Sequence, residues 1–175
     1  PPTITEEVYD RVISICNANK ARFIMDVYPQ EMVKLLDKGP MLIVADHDMI
    51  EKMLGVEIKN PSDLHKYAKI ILDRGVDYLI SPVEGRGSIL FTKDKAYHGL
   101  RITGEYVNSE GVREAMIAGF IATYIRLSDP VEAYRVAIAC GAATAFTRDM
   151  AKRPEIEEMI EKVDINKIDS STDIF

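Results

Sequence analysis

Short apolar runs alternate with capped amphipathic stretches along this chain, and that alternation limits the possible folds more than any other feature. Asn60-Pro61-Ser62-Asp63 is a strong helix start, with the cap at Asn60 and proline at the first helical position. Leu64, Tyr67, Ala68, Ile71 and Leu72 then share one stripe, which Gly75 closes. Asp129-Pro130-Val131-Glu132 opens another helix in the same way, running through Ala145, and a helix over Val112–Leu127 precedes it. Shorter helical stretches are read at Gln30–Asp37, Met49–Leu54 and Pro154–Val163, and Thr3-Ile4-Thr5-Glu6 offers a capping box for a first helix. Between them lie Phe23–Val27, Met41–Ala45 and Val76–Ser81, whose length and branching suit buried strands. Ser88–Thr92 and Ala96–Ile102 form a hairpin-like pair around the charged turn Lys93-Asp94-Lys95. The pattern predicts an α/β layered domain over residues 1–163 with a largely parallel sheet, followed by a loosely held polar tail over 164–175.

Composition removes several classes of function. With 175 residues the chain is about one domain long, and 47% hydrophobic content can fill a core. The net charge of −6, without a basic run, argues against nucleic acid as a main partner. The longest apolar run, Ala115–Ile125, is far short of the about 18–20 residues a membrane span needs. Cys16 and Cys140 lie far apart and form neither a disulfide framework nor a zinc spacing, which points to a reducing, cytoplasmic setting. The chain opens on Pro1-Pro2-Thr3 without an initiator methionine or a secretory pattern, as a processed chain or a piece of a longer one would.

Ligands in such folds collect where strand ends meet helix N-termini. The best candidate is Asn108-Ser109-Glu110-Gly111-Val112-Arg113-Glu114, which leads into a helix rich in small residues (Ala115, Ala118, Gly119, Ala122). The first amides of that helix are unpaired and partly positive, a natural seat for phosphate, and Glu114 beside them could take a proton from an attacking hydroxyl. Glu110 and Glu114 also simply favour a positive helix end, and such first-turn acids are routine, so the residues alone lean to that second reading. Asp46-His47-Asp48 contains three metal-ligand types, but neighbours on a strand end diverge, and Asp46 reads better as a helix cap. His65, His98 and Cys140 lack a paired group nearby in sequence and read as structural.

Tyr106-Val107-Asn108-Ser109-Glu110-Gly111-Val112-Arg113-Glu114, continuing through Ala118-Gly119-Phe120, resembles the signature of the PfkB (ribokinase-like) sugar kinases. Val136–Ala145 resembles the helix that packs beside the adenine in that family, and Pro1-Pro2-Thr3 resembles a Pro-Pro-Gly of its 1-phosphofructokinase and tagatose-6-phosphate kinase branch. The resemblance covers nearly the whole chain but only the second, nucleotide-binding half of the family. It implies a ribokinase-like layered sheet lacking the N-terminal half and lid. It also implies ATP and Mg2+ as cofactors, with phosphoryl transfer to a ketohexose phosphate such as fructose 1-phosphate, fructose 6-phosphate or tagatose 6-phosphate. On this reading Glu114 is the base, Gly111, Val112 and Arg113 form the anion hole, and Asn108, Asp46, Ser81, Gly87 and Gly141 serve the nucleotide.

The polar motifs depart from the family pattern where the apolar ones follow it. Arg113 stands at the second anion-hole glycine, where bulk and a lost positive φ would both matter, and Glu114 replaces an aspartate with a longer arm. Val44-Ala45-Asp46-His47-Asp48-Met49 aligns with Lys-Pro-Asn-x-x-Glu, so Met49 takes the place of an acid that organises phosphate and magnesium. Ser81-Pro82-Val83-Glu84-Gly85-Arg86-Gly87 stands near the nucleotide loop but carries an acid, and by itself its glycine pair reads as a hairpin turn. Apolar packing tolerates substitution whereas phosphoryl transfer needs given groups in given places, so a catalytically impaired relative, binding nucleotide or protein, is the alternative. A further alternative is an unrelated α/β module whose Ala-Gly-Phe helix is coincidental. The motifs of the family's sugar-binding half are not found, and the sheet edge this leaves open predicts self-association or a second subunit.

Overall fold

The computed structural model describes residues 5–174. In chain order the elements are α1 (Glu6–Ala18), α2 (Pro29–Leu35), β1 (Leu42–Val44), α3 (His47–Leu54), α4 (Pro61–Asp73), β2 (Tyr78–Val83), β3 (Gly87–Phe91), β4 (Ala96–Leu100), α5 (Val112–Leu127), α6 (Pro130–Ala145), α7 (Arg153–Ile160) and β5 (Ile165–Ile168). The caps read from sequence are in place. Asn60 accepts from the Asp63 amide, Asp129 from the Val131 and Glu132 amides, and Asp46 from the Met49 amide. Thr5 is the N-cap of α1 but its side chain makes no capping bond, and Glu6 begins the helix; Thr3 and Ile4 of the expected box, like Pro1-Pro2, lie outside the described residues.

One sheet runs β1-β2-β3-β4-β5. The layered α/β class holds, but the expectation of a mostly parallel sheet does not: only β1 and β2 are parallel, and β2–β3, β3–β4 and β4–β5 are antiparallel. The connections explain this. β1 and β2 are joined by a crossover through α3 and α4, three residues join β2 to β3 and four join β3 to β4, and the long connection through α5, α6 and α7 returns β5 antiparallel to β4. Phe23–Val27, expected as a strand, joins no ladder; Phe23 accepts one backbone bond from Met41 at the margin of β1. The tail expected to be loose supplies β5, which pairs with β4 from Gly99↔Ile165 to Ala96↔Ile168, and Ile174 is buried beyond it. Three isoleucines spaced through a polar stretch were enough to fix it, a signal that its average polarity conceals.

Strand alternation gives the sheet two apolar faces. Ile43, Leu79, Val83, Ile89 and Phe91 pack under α1 to α4, and Leu42, Val44, Ile80 and Leu90 pack under α5 to α7. The second layer is the tighter. A Cβ on Gly119 of α5 would stand 2.7 Å from the Cys140 sulfur and 3.1 Å from the Val136 carbonyl oxygen, and one on Gly141 of α6 would stand 2.6 Å from Met116. Glycine at both positions lets α5 and α6 touch along their backbones. The Tyr134 hydroxyl, wholly buried on α6, shares a 2.8 Å hydrogen bond with Ser88 and accepts one from the Gly99 amide, fastening α6 to β3 and β4.

Candidate functional site

Gly111 is the N-cap of α5 and sits at φ 74°, in the left-handed region where glycine carries no side-chain penalty. The loop before it is held by Asn108. Its side-chain oxygen accepts from the Glu110 amide at 2.9 Å, and its side-chain nitrogen donates to the Thr147 carbonyl at 2.6 Å. The Val107 amide donates to the Ala145 carbonyl, so this loop is sewn to the C-terminal end of α6. Among the described residues the amides of Gly111, Arg113 and Glu114 meet no acceptor, the state a helix opening leaves them in. Glu114 is exposed beside them and, among the described residues, takes part in no ion pair.

Arg113 lies in helical backbone, not at positive φ, so the substitution for glycine stores no backbone strain there. Its guanidinium reaches across to the Asp26 carboxylate at 3.4 Å and to the Met49 sulfur at 3.3 Å. Two departures from the family pattern, the arginine in α5 and the methionine in α3, therefore meet in space. Asp26 completes the corner and was missed as a site residue. The available signal was an acid in the otherwise apolar run Phe23–Val27. A guanidinium against a thioether is a poor seat for a dication, and these residues do not fit a magnesium ion held by protein carboxylates at this corner.

The remaining candidates scatter. Asp46, exposed, spends its carboxylate on the cap of α3. Gly87 starts β3 at φ 107°, where a Cβ would collide with the backbone of Gly99; Glu84-Gly85-Arg86 is a tight hairpin turn with the Arg86 amide on the Val83 carbonyl. Ser81 is completely buried on the α3–α4 side of the sheet, and its hydroxyl has no hydrogen-bond partner among the described residues. Gly141 lies under α5 against Met116, with Val112 near by. The structure thus brings together Asn108, Gly111, Val112, Arg113, Glu114 and Gly141 around the opening of α5, and leaves Ser81 inside the sheet. Two clefts of about 770 and 540 Å3 lie instead around the β3–β4 turn, and none of these candidates lines them.

Residues 1–157 match the pfkB family of carbohydrate kinases. The chain belongs to that family. It is 24% identical over 168 residues to the 1-phosphofructokinase of Bacillus subtilis (strain 168), a match covering 96% of this chain and 55% of that protein. Against the D-tagatose-1-phosphate kinase of Klebsiella oxytoca the identity is 19%, with 94% and 54% covered. A Staphylococcus aureus protein whose crystal structure is described as that of a phosphofructokinase superposes with a TM-score of 0.88 at 27% identity, over 97% of this chain and 55% of that one. The chain spans about half the length of the curated relatives it matches. As a pfkB family member it keeps the ribokinase-like layering with its five-stranded sheet, and among the described residues no helix is long and apolar enough to cross a membrane.

Proposed function

We propose that this chain is the ATP-binding half of a sugar-phosphate kinase acting on a ketohexose phosphate such as fructose 1-phosphate, fructose 6-phosphate or tagatose 6-phosphate. The observation that carries the reading is the opening of α5, where three amides without an acceptor among the described residues adjoin the exposed carboxylate of Glu114. The amides supply fixed partial positive charge for a transferred phosphoryl group, and Glu114 would accept the proton of the attacking sugar hydroxyl. The names of the relatives support the substrate class and add tagatose 1-phosphate to it. A cytoplasmic setting and pairing with a second subunit or a second copy belong to the same proposal.

A second reading draws on the Arg113–Met49–Asp26 corner. With a cation-binding acid replaced and an arginine standing next to it, nucleotide is held but phosphoryl transfer is impaired, and the chain works as a binding subunit. Thermal melting with magnesium-ATP tests the nucleotide claim common to both. Binding to the native state alone raises Tm by about 4 °C at millimolar ligand, and an unchanged Tm removes both readings. Turnover of a ketohexose phosphate that is lost in Glu114→Gln, with the ATP-induced shift retained, selects the kinase. ATP binding without turnover selects the subunit.

A further inference from the structure

The cleft of about 540 Å3 between α4, the β3–β4 turn and β5 gathers a charge that the rest of the chain does not. Of the twelve lysines, six form ion pairs within 4 Å among the described residues: Lys34, Lys38, Lys52, Lys59, Lys69 and Lys162. Of the six that do not, four line this one cleft: Lys66, Lys93, Lys95 and Lys167. They come from three elements that are remote in sequence, so the fold and not a local charge run assembles them. In a chain of net charge −6, leaving these four without carboxylate partners concentrates positive potential where the rest of the surface is acidic.

The floor is apolar. His65 stands edge-on to Phe91 with ring centroids 5.0 Å apart, and its buried Nε2 has no hydrogen-bond partner among the described residues. Two acids reach the cleft. Asp94 is one; Asp169 is the other, its carboxylate accepting from the Ser171 amide at 2.8 Å and the Ser171 hydroxyl at 2.6 Å, so two acids stand against the four lysines. The volume falls in the range of small-molecule sites. We infer that this cleft binds a small anion carrying several phosphate charges, at a site separate from the opening of α5. Lys93, Lys95 and Lys167 engage its phosphate oxygens, and the His65–Phe91 floor lies beneath it. The shared chemistry is the multiple phosphate, whether it arrives as a linear oligophosphate, a hexose bisphosphate or a nucleoside triphosphate.

Amide-resolved NMR titration of the 175-residue chain tests this, with inorganic tripolyphosphate, a hexose bisphosphate and magnesium-free ATP as three separate arms. Saturable shifts at the amides of residues 92–96 and 167–170, with Kd at or below about 1 mM, are expected from at least one arm, and the tightest arm names the source. The triple variant Lys93→Gln, Lys95→Gln, Lys167→Gln should weaken that binding by about tenfold or more, while Lys20→Gln, an unpaired lysine outside the cleft, leaves it within about twofold. Because residues 108–114 report separately, binding at the opening of α5 cannot be mistaken for it. If those amides stay still in all three arms, or if their shifts survive in the triple variant, the inference is overturned.

Discussion

The middle and the N-terminus of α5 obey different physics. Along its middle, Gly119 meets Cys140 and Gly141 of α6 meets Met116, with no room for another carbon. At its N-terminus, Arg113 stands where the family carries glycine, and the helix accommodates it without backbone strain because the side chain has somewhere to go. A packed seam rejects an added atom on the spot, by overlap, whichever atom it is. An open corner rejects nothing on steric grounds, so its residues can change while the helix stays put. Fold is therefore recorded in the seam and chemistry in the corner, and the first survives changes that remake the second.

Three substitutions probe this contrast, and the seam should respond most. Gly119→Val puts branched carbon against the Cys140 sulfur and the Val136 carbonyl, and urea unfolding should show a loss of about 3 kcal/mol. A loss below about 0.5 kcal/mol would mean that α5 and α6 slide apart freely. Tyr134→Phe leaves the Ser88 hydroxyl and the Gly99 amide buried with a partner removed, for about 2 kcal/mol by the same measurement. Arg113→Gly should change stability by less than about 1 kcal/mol, since its pairing with Asp26 is solvent-exposed on both sides. The same variant should enlarge the thermal shift with magnesium-ATP, because it frees the corner beside the amides. A smaller shift would instead make the guanidinium part of the nucleotide site.

Particular residues show how far the chain could be read without coordinates. Asn60, Asp46 and Asp129 announced their helices because a cap is a local hydrogen bond, complete within three residues. The start of α6 followed from that local bond, whereas α5 opens without a side-chain cap, on Gly111 in the left-handed region. Strand partners are not local. Phe23–Val27 has the composition of a strand but finds no ladder, while Ile165–Ile168 has a weak pattern and gains one because β4 presents a free edge. At the candidate site, Gly111 and Asn108 were legible from their place before a helix. The meeting of Arg113, Met49 and Asp26 was not, since it joins three stretches that only the fold brings together. The lysine cleft escaped notice for the same reason, because no segment of sequence is basic.

The antiparallel zip of β4 to β5 has a kinetic consequence. More than sixty residues, including all of α5, α6 and α7, separate Gly99 from Ile165. Closing so long a detour costs loop entropy, and long-range pairing of this kind is slow to form. Until it forms during refolding the margin of β4 is bare, and that interval exposes the chain to joining a neighbour's strand in place of its own.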